Sequence, residues 1–110
     1  MRPDLFALGS HHEACGFAAI EACACGAAPV LTDIPSFRAI TGDGQVGERW
    51  HAGDAVACAA ALVRAANDSA SQRARVRAHF ERNLSWSAVA QRALCVYDAA
   101  LSTRRMERRL

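Results

Sequence analysis

Two glutamates eight positions apart, Glu13 and Glu21, flank a glycine and a phenylalanine at the start of an alanine-rich apolar segment. Carboxylates only accept hydrogen bonds, so two of them around a turn could bind hydroxyl groups such as those of a sugar. Gly16 and Phe17 would offer backbone N–H groups at the start of a helix, where the partial positive charge favours phosphate. A local structural role for Glu21, as a cap or an ion-pair partner, is the alternative that the spacing leaves open.

The elements that would position these groups alternate between strand and helix in the first half of the chain. Short apolar runs bounded by glycine and other turn residues are typical of buried strands in a parallel sheet. Gly26 is expected to end the first helix, and Pro35 suits the first position of a short second helix. The pattern predicts strands at Leu5–Leu8, Pro29–Thr32 and Gly47–Trp50, with a helix over 16–25 between the first two.

The second half of the chain, over 54–101, reads as helical. Asp54 is a plausible N-cap for a helix over 55–66, which Asn67-Asp68-Ser69 is expected to break. A further helix is expected over 72–82, and a last one from the cap Ser85 to about Leu101. Residues 102–110 form a basic tail that is expected to fray.

This order of elements predicts an α/β fold with about three parallel strands followed by C-terminal helices. In such sheets ligands bind at the carboxyl ends of the strands, and the segment after Leu8 that contains Glu13 lies there. An apolar first strand would leave a sheet edge exposed. We therefore expect a homodimer formed through that edge.

Composition limits the class of protein further. The chain has 110 residues, which suits one small domain, and its formal net charge of +2 is too small to imply binding of nucleic acid. Five cysteines form an odd number without the paired spacing of a zinc site, so reduced and mostly buried thiols are expected. No apolar run approaches the roughly 20 residues that span a bilayer. We expect a cytoplasmic protein, at most peripheral to the inner membrane.

Four other polar side chains could take part in chemistry. His11 and His12 precede Glu13, but adjacent loop histidines seldom converge on one ion, and no metal site is predicted. Cys15 near a helix start could be a reactive thiol, although an inert cysteine is the commoner case. Arg38 could reach a phosphate or could lie on the surface of its helix.

The segment from Glu13 to Glu21 resembles the donor-binding motif of the group 1 (family 4) glycosyltransferases of the GT-B fold, which is a glutamate, seven residues and a second glutamate. Cys15 and Ala14 depart from this pattern, since the family commonly has an aromatic residue and a glycine there. The resemblance extends from Asp4 to about Leu101. It includes Gly26, Pro29-Val30, Thr32-Asp33, Ile34-Pro35-Ser36-Phe37-Arg38, Gly42-Asp43, Gly47, Gly53-Asp54, Leu84-Ser85-Trp86 and Tyr97.

The resemblance implies transfer of a sugar from a nucleotide-sugar donor to an acceptor that is a glycan, a lipid or a small molecule, with retained configuration and without a metal or other cofactor. Glu13 would be the catalytic residue that faces the sugar and stabilises charge on it. The amides of Gly16 and Phe17 would meet the sugar hydroxyls or the diphosphate. Glu21 would accept hydrogen bonds from the ribose.

The resemblance also implies that residues 1–110 form part of a C-terminal, Rossmann-like donor domain. The family's acceptor domain and basic diphosphate-binding pair have no counterpart in this sequence, so we expect an incomplete enzyme that is inactive alone. A non-catalytic module that binds nucleotide sugars is the main alternative. A small signalling domain is a weaker one, because the chain has no aspartate cluster at a strand end and no lysine to match it.

Overall fold

A computed structural model describes residues 4–109. The predicted fold class is confirmed: the chain is α/β, with three parallel strands followed by long C-terminal helices. The positions of all three strands agree with the sequence prediction to within one residue. The elements are β1 (Leu5–Leu8), α1 (Phe17–Ala24), β2 (Ala28–Thr32), α2 (Pro35–Ile40), β3 (Glu48–Trp50), α3 (Ala55–His79), a π-helix (Phe80–Leu84) and α4 (Trp86–Arg109).

The three strands lie in the order in which they occur in the chain, with β2 in the middle. In the register of the sheet Leu5 pairs with Ala28, and Thr32 pairs with Trp50. Every residue of β2 is buried, whereas β1 is half-buried with Ala7 exposed. β1 is thus less buried than its apolar run indicates, because it lies at an edge of the described sheet and has only one neighbouring strand there.

Hydrophobic residues form two clusters, one on each face of the sheet. Neighbouring side chains of a strand point to opposite faces, so Leu31 belongs to one cluster and Val30 to the other. The first cluster packs α1 and α2 on the sheet, and the second packs the beginning of α3 on it. Their buried members are Ala19, Cys23, Ala28, Leu31, Ile34, Phe37, Ile40, Val46 and Val76 in the first, and Val30, Trp50, Ala61 and Ala65 in the second.

The helix α3 contributes to both clusters and therefore passes around one end of the sheet. Ala61 and Ala65 lie against one face, while Val76 lies in the cluster on the other face. Arg73 lies between Ala65 and Val76 along α3. Its guanidinium contacts the carboxylate of Asp4, the residue before β1, at 3.1 Å. The helix therefore crosses the end of the sheet at which the strands begin, and loops lie at the opposite end.

The predicted interruption at Asn67-Asp68-Ser69 is wrong, because α3 is continuous from Ala55 to His79. The Asp68 carboxylate accepts hydrogen bonds from the hydroxyl of Ser71 and from the side-chain amide of Gln72, within the same helix. These bonds occupy the side chain that would otherwise compete for the backbone. Burial of Val76 adds packing free energy that exceeds the few tenths of a kcal/mol per residue of poor helix propensity.

The last helix is longer than the sequence predicts. It runs from Trp86 to Arg109, so residues 102–109, which were expected to fray, continue it, and Leu110 lies outside the described residues. The expected caps are confirmed at two other places, since the Asp54 carboxylate accepts the Ala57 N–H at 2.9 Å and Gly26 has a positive φ after α1.

Within residues 4–109, no helix is long and apolar enough to cross a membrane.

The cysteines correct another expectation. All five are free thiols, but only Cys23 is buried and Cys58 is intermediate, while Cys15, Cys25 and Cys95 are exposed. Burial raises the pKa of Cys23 to about 11, so this thiol stays protonated and packs as a small apolar group.

Candidate functional site

The loop between β1 and α1 carries the candidate residues, and hydrogen bonds to β2 and α2 hold it in place. Thr32, at the end of β2, donates its hydroxyl hydrogen to the Ser10 carbonyl. Ser36, in the first turn of α2, donates to the Glu13 carbonyl at 2.9 Å. The loop therefore lies at the carboxyl end of the sheet, which is where parallel α/β folds bind ligands.

Gly16 sets the geometry at which the chain enters α1. Its φ of 72° is left-handed, and its carbonyl accepts the N–H groups of Ala19 and Ile20 at 3.0 and 3.2 Å. A Cβ added to Gly16 would lie 2.8 Å from Ile40 Cδ1 and 3.1 Å from Phe37 Cε1. Only glycine combines this conformation with this approach to α2.

The N-terminus of α1 has no side-chain cap and no acidic residue in its first turn. The first N–H groups of a helix lack partners within it, and together they favour negative charge. Phe17 is the first residue of α1, and its ring is exposed. The amide groups that the sequence assigned to ligand binding thus lie at an uncapped helix start.

Glu13 is half-buried in the loop. One of its carboxylate oxygens accepts the Ser10 hydroxyl at 2.8 Å. Because its backbone carbonyl is bound by Ser36, the residue is fixed at two points. Its carboxylate keeps further lone pairs for a hydroxyl donor.

Glu21 lies on α1 and is exposed. Its side chain has no hydrogen bond or ion pair with any other part of residues 4–109, so the local structural role considered from the sequence has no support there. Its side chain borders an apolar cavity of about 430 Å³ between α1, the π-helix and α4. That cavity is lined by Cys15, Phe17, Ile20, Glu21, Ala24, Phe80, Leu84, Trp86 and Val89.

A second hollow, of about 260 Å³, also borders Glu21 on the side of Phe6. Glu13 lines neither of these two spaces. The structure brings Glu13 together with Ser10 and Ser36, and it brings Glu21 together with Phe17. That both glutamates face one cleft stays a prediction.

An ion cluster follows β2 at the same end of the sheet. The Asp33 carboxylate contacts Arg38 Nε at 2.7 Å and Arg49 Nη1 at 3.2 Å, and Arg49 also contacts Asp43 at 3.2 Å. The hydrogen bond from Arg38 holds the pKa of Asp33 below its ordinary value, and the charges of Arg38, Arg49 and His51 add to that effect. Arg38 is exposed on α2 and paired with Asp33, which favours the second of the two roles considered for it, that of an arginine on the surface of its helix.

The residues that hold the loop in place were not predicted from the sequence. The bonds of Thr32 and Ser36 join residues that are 22 and 23 positions apart in the chain, and no local pattern predicts such bonds. The bond of Ser10 lies within the loop. In the sequence, Ser36 was named only as part of the family resemblance. Over residues 4–109, no group of three or more histidine, cysteine, aspartate or glutamate side chains could hold a metal ion.

This chain belongs to the glycosyl transferases group 1, whose family description matches residues 2–82. A glutamate-flanked loop at the carboxyl end of a parallel sheet agrees with that class. The chain is also 34% identical over 93 residues to a phosphatidyl-myo-inositol mannosyltransferase of Mycobacterium leprae (strain TN). The match covers 83% of this chain and 25% of that protein, so the chain spans about a quarter of the length of this relative.

Replacing Gly16 by alanine should destabilise the protein more than the same change at Gly53. Both glycines have positive φ, but nothing lies within 4 Å of a Cβ at Gly53. Gly53→Ala should therefore lose about 1 kcal/mol of unfolding free energy for backbone strain alone. Gly16→Ala should lose about 1–3 kcal/mol more, because the buried side chains of Ile40 and Phe37 must move to make room. Urea unfolding measures both, and equal losses would contradict the close approach to Ile40 and Phe37.

Substitution of Arg38 should raise the pKa of Asp33. Because pairing lowers this pKa in the folded state, the stabilisation that it gives is present above the ordinary aspartate pKa and is lost as pH falls through the lowered one. In Arg38→Gln, NMR titration of the Asp33 carboxyl carbon should show a midpoint closer to the ordinary value. Arg64→Gln, which removes a pair with Glu48 instead, is the control. An unchanged midpoint in Arg38→Gln would show that Arg38 does not hold the carboxylate.

Proposed function

We propose that this chain provides donor-binding residues of a glycosyl transferase that moves a sugar from a nucleotide-sugar donor to an acceptor. The observation that carries the proposal is the uncapped, glycine-initiated start of α1 between Glu13 and Glu21. Membership in the group 1 family supports it. The acceptor class stays open between glycan, lipid and small molecule.

The roles are those that the family resemblance implies, and the chemistry of each group suits them. The N–H groups at the start of α1, at Gly16 and Phe17, would donate to the sugar hydroxyls or to the diphosphate of the donor. Glu13, fixed by Ser10 and Ser36, would face the sugar and stabilise positive charge that develops on it as the bond to the phosphate breaks. Glu21, which has no protein partner among the described residues, would accept the ribose hydroxyls.

No metal or other cofactor is part of this proposal. The positive end of α1 would offset part of the charge of the leaving diphosphate, and retention of configuration is the expected outcome. The name of the mycobacterial relative makes a mannose-bearing nucleotide the first donor to test. A cytoplasmic location fits a nucleotide-sugar substrate and is proposed with it.

Removal of the Glu21 charge should weaken binding of a nucleoside diphosphate. Calorimetry on the 110-residue chain should show weak binding, and Glu21→Gln should reduce the affinity about fivefold to tenfold, since a neutral amide accepts weaker hydrogen bonds from ribose. Glu107→Gln makes the same change on an exposed part of α4 and should leave the affinity unchanged. Equal affinity in all three proteins would remove Glu21 from the site.

We expect the same chain to bind without turnover. The match covers only 25% of the relative, and much of the rate of a transfer reaction comes from positioning both reactants. A donor-hydrolysis assay distinguishes binding alone from catalysis. Binding without turnover would agree with a binding module or with part of a larger enzyme, whereas robust turnover would show that these 110 residues suffice.

We also propose that two copies pair through β1. In the described sheet β1 has one neighbouring strand, and an unpaired edge offers its backbone groups to a second copy. Ala7 is the exposed residue of β1, so Ala7→Lys should place a charge at that contact and shift the protein toward monomer. Ala99→Lys, on the exposed surface of α4, is the control. Light scattering at micromolar concentration measures the mass, and a monomeric unmodified chain would rule the dimer out.

A further inference from the structure

A polar groove separate from the candidate donor site lies beside the π-helix. It consists of two adjoining cavities, of about 500 and 330 Å³, which share Gln45 and His79 as their common wall. None of the four residues proposed for donor binding lines either cavity. The first is lined by Ala39, Ile40, Gly42, Gln45, His79, Asn83, Leu84 and Arg92, and the second by Gln45, Val46, Ala74, Arg75, Ala78, His79 and Arg82.

The groove carries an excess of positive charge. Three arginines line it, and no carboxylate does. Arg75 is paired with Asp68 at 3.3 Å. The side chains of Arg82 and Arg92 have neither a hydrogen bond nor an ion pair with anything in residues 4–109, so two guanidinium groups there have no anionic partner.

The acidic residues next to the groove are already paired. Glu81, which precedes Arg82 in the chain, contacts Arg77 Nε at 3.0 Å, and Asp43 contacts Arg49. These carboxylates therefore compete little for Arg82 or Arg92. The guanidinium groups of Arg82 and Arg92 are therefore available to bind an anion from solution.

The wall formed by the end of α2 is also free of competing acceptors. The Ile40 carbonyl accepts His79 Nε2 at 2.7 Å, and the Ala39 carbonyl accepts the Gly42 N–H at 3.3 Å. Carbonyl groups at a helix end repel anions when they are unpaired. Here donors from the protein occupy them, and the remaining polar groups of the wall include the side-chain amide of Gln45.

The π-helix places the polar side chains of this groove. Such helices are rare and occur often at functional sites, because they cost stability relative to α-helix. In this one Asn83 contacts His79 Nδ1 at 3.2 Å, while Arg82 lies in the adjoining cavity. His79 is buried and bound on both ring nitrogens, so it fixes the groove between α2 and α3.

From these observations we infer that the groove beside the π-helix binds a phosphate-bearing anion through Arg82 and Arg92, with Gln45 as a further hydrogen-bond donor. Guanidinium groups bind phosphate oxygens in pairs of parallel hydrogen bonds, which suits arginines that have no partner in the protein. The same phosphate chemistry occurs in a soluble polyphosphate and in the headgroup of an anionic lipid.

Binding of pyrophosphate to the 110-residue chain, measured by NMR, tests the inference without any transfer assay. Amide signals of residues 39–45 and 79–92 should shift on titration, and Arg82→Gln/Arg92→Gln should weaken the affinity about tenfold or more. Arg104→Gln/Arg105→Gln removes the same charge from the exposed end of α4 and should keep the affinity of the unmodified chain. Similar losses in the two double variants would overturn the site, because binding would then follow net charge alone.

Co-sedimentation with vesicles distinguishes the two sources of phosphate. If the ligand is a lipid headgroup, phosphatidylglycerol vesicles should bind the unmodified chain and the Arg104/Arg105 variant, phosphatidylcholine vesicles should not, and the Arg82/Arg92 variant should lose binding. If it is soluble, pyrophosphate alone should show this dependence on the two groove arginines. The inference is refuted if neither pyrophosphate binding nor vesicle binding depends on Arg82 and Arg92. This comparison requires that the variants unfold at the same urea concentration as the unmodified chain.

Discussion

The complete burial of β2 is the constraint on which the rest of the structure depends. A strand buried on both faces must have apolar cover on each side, and Val30 and Leu31 supply the opposite-facing side chains around which the two clusters form. Because α1 and α2 cover one face and the beginning of α3 covers the other, α3 must pass the end of the sheet to reach α1. The carboxyl ends of the strands are thereby left for loops.

The candidate site is built on that central strand. Thr32 ends β2 and binds the Ser10 carbonyl, and Ser36 begins the next helix and binds the Glu13 carbonyl. The loop thus takes its position from the most buried element of the fold rather than from its own sequence. Such support is what a binding residue needs if its carboxylate is to stay in one place while a ligand enters.

Charge is distributed in a way that distinguishes two parts of the surface. Near the carboxyl ends of the strands, Arg38 and Arg49 are bound to Asp33, so positive charge for a ligand comes mainly from the start of α1. Beside the π-helix, the side chains of Arg82 and Arg92 have no such partners among residues 4–109. The two regions therefore suit different contacts, one through backbone amides with carboxylates beside them and one through guanidinium groups.

The sequence by itself determined the strands, the first helix and its glycine end, and the cap Asp54, because these depend on short-range patterns of apolar and turn residues. It also placed Glu13, Gly16, Phe17 and Glu21 around one loop and helix start. Their roles remain proposals that rest on the family.

Tertiary structure decided what local patterns could not. The helix α3 continues through Asn67-Asp68-Ser69 because contacts with the first cluster outweigh weak propensities. The bond from Ser36 to the loop and the π-helix that carries Arg82 depend on residues distant in the chain. A free energy that arises only when two distant segments meet leaves no periodic signal in either segment, and for that reason these features appeared only in the folded protein.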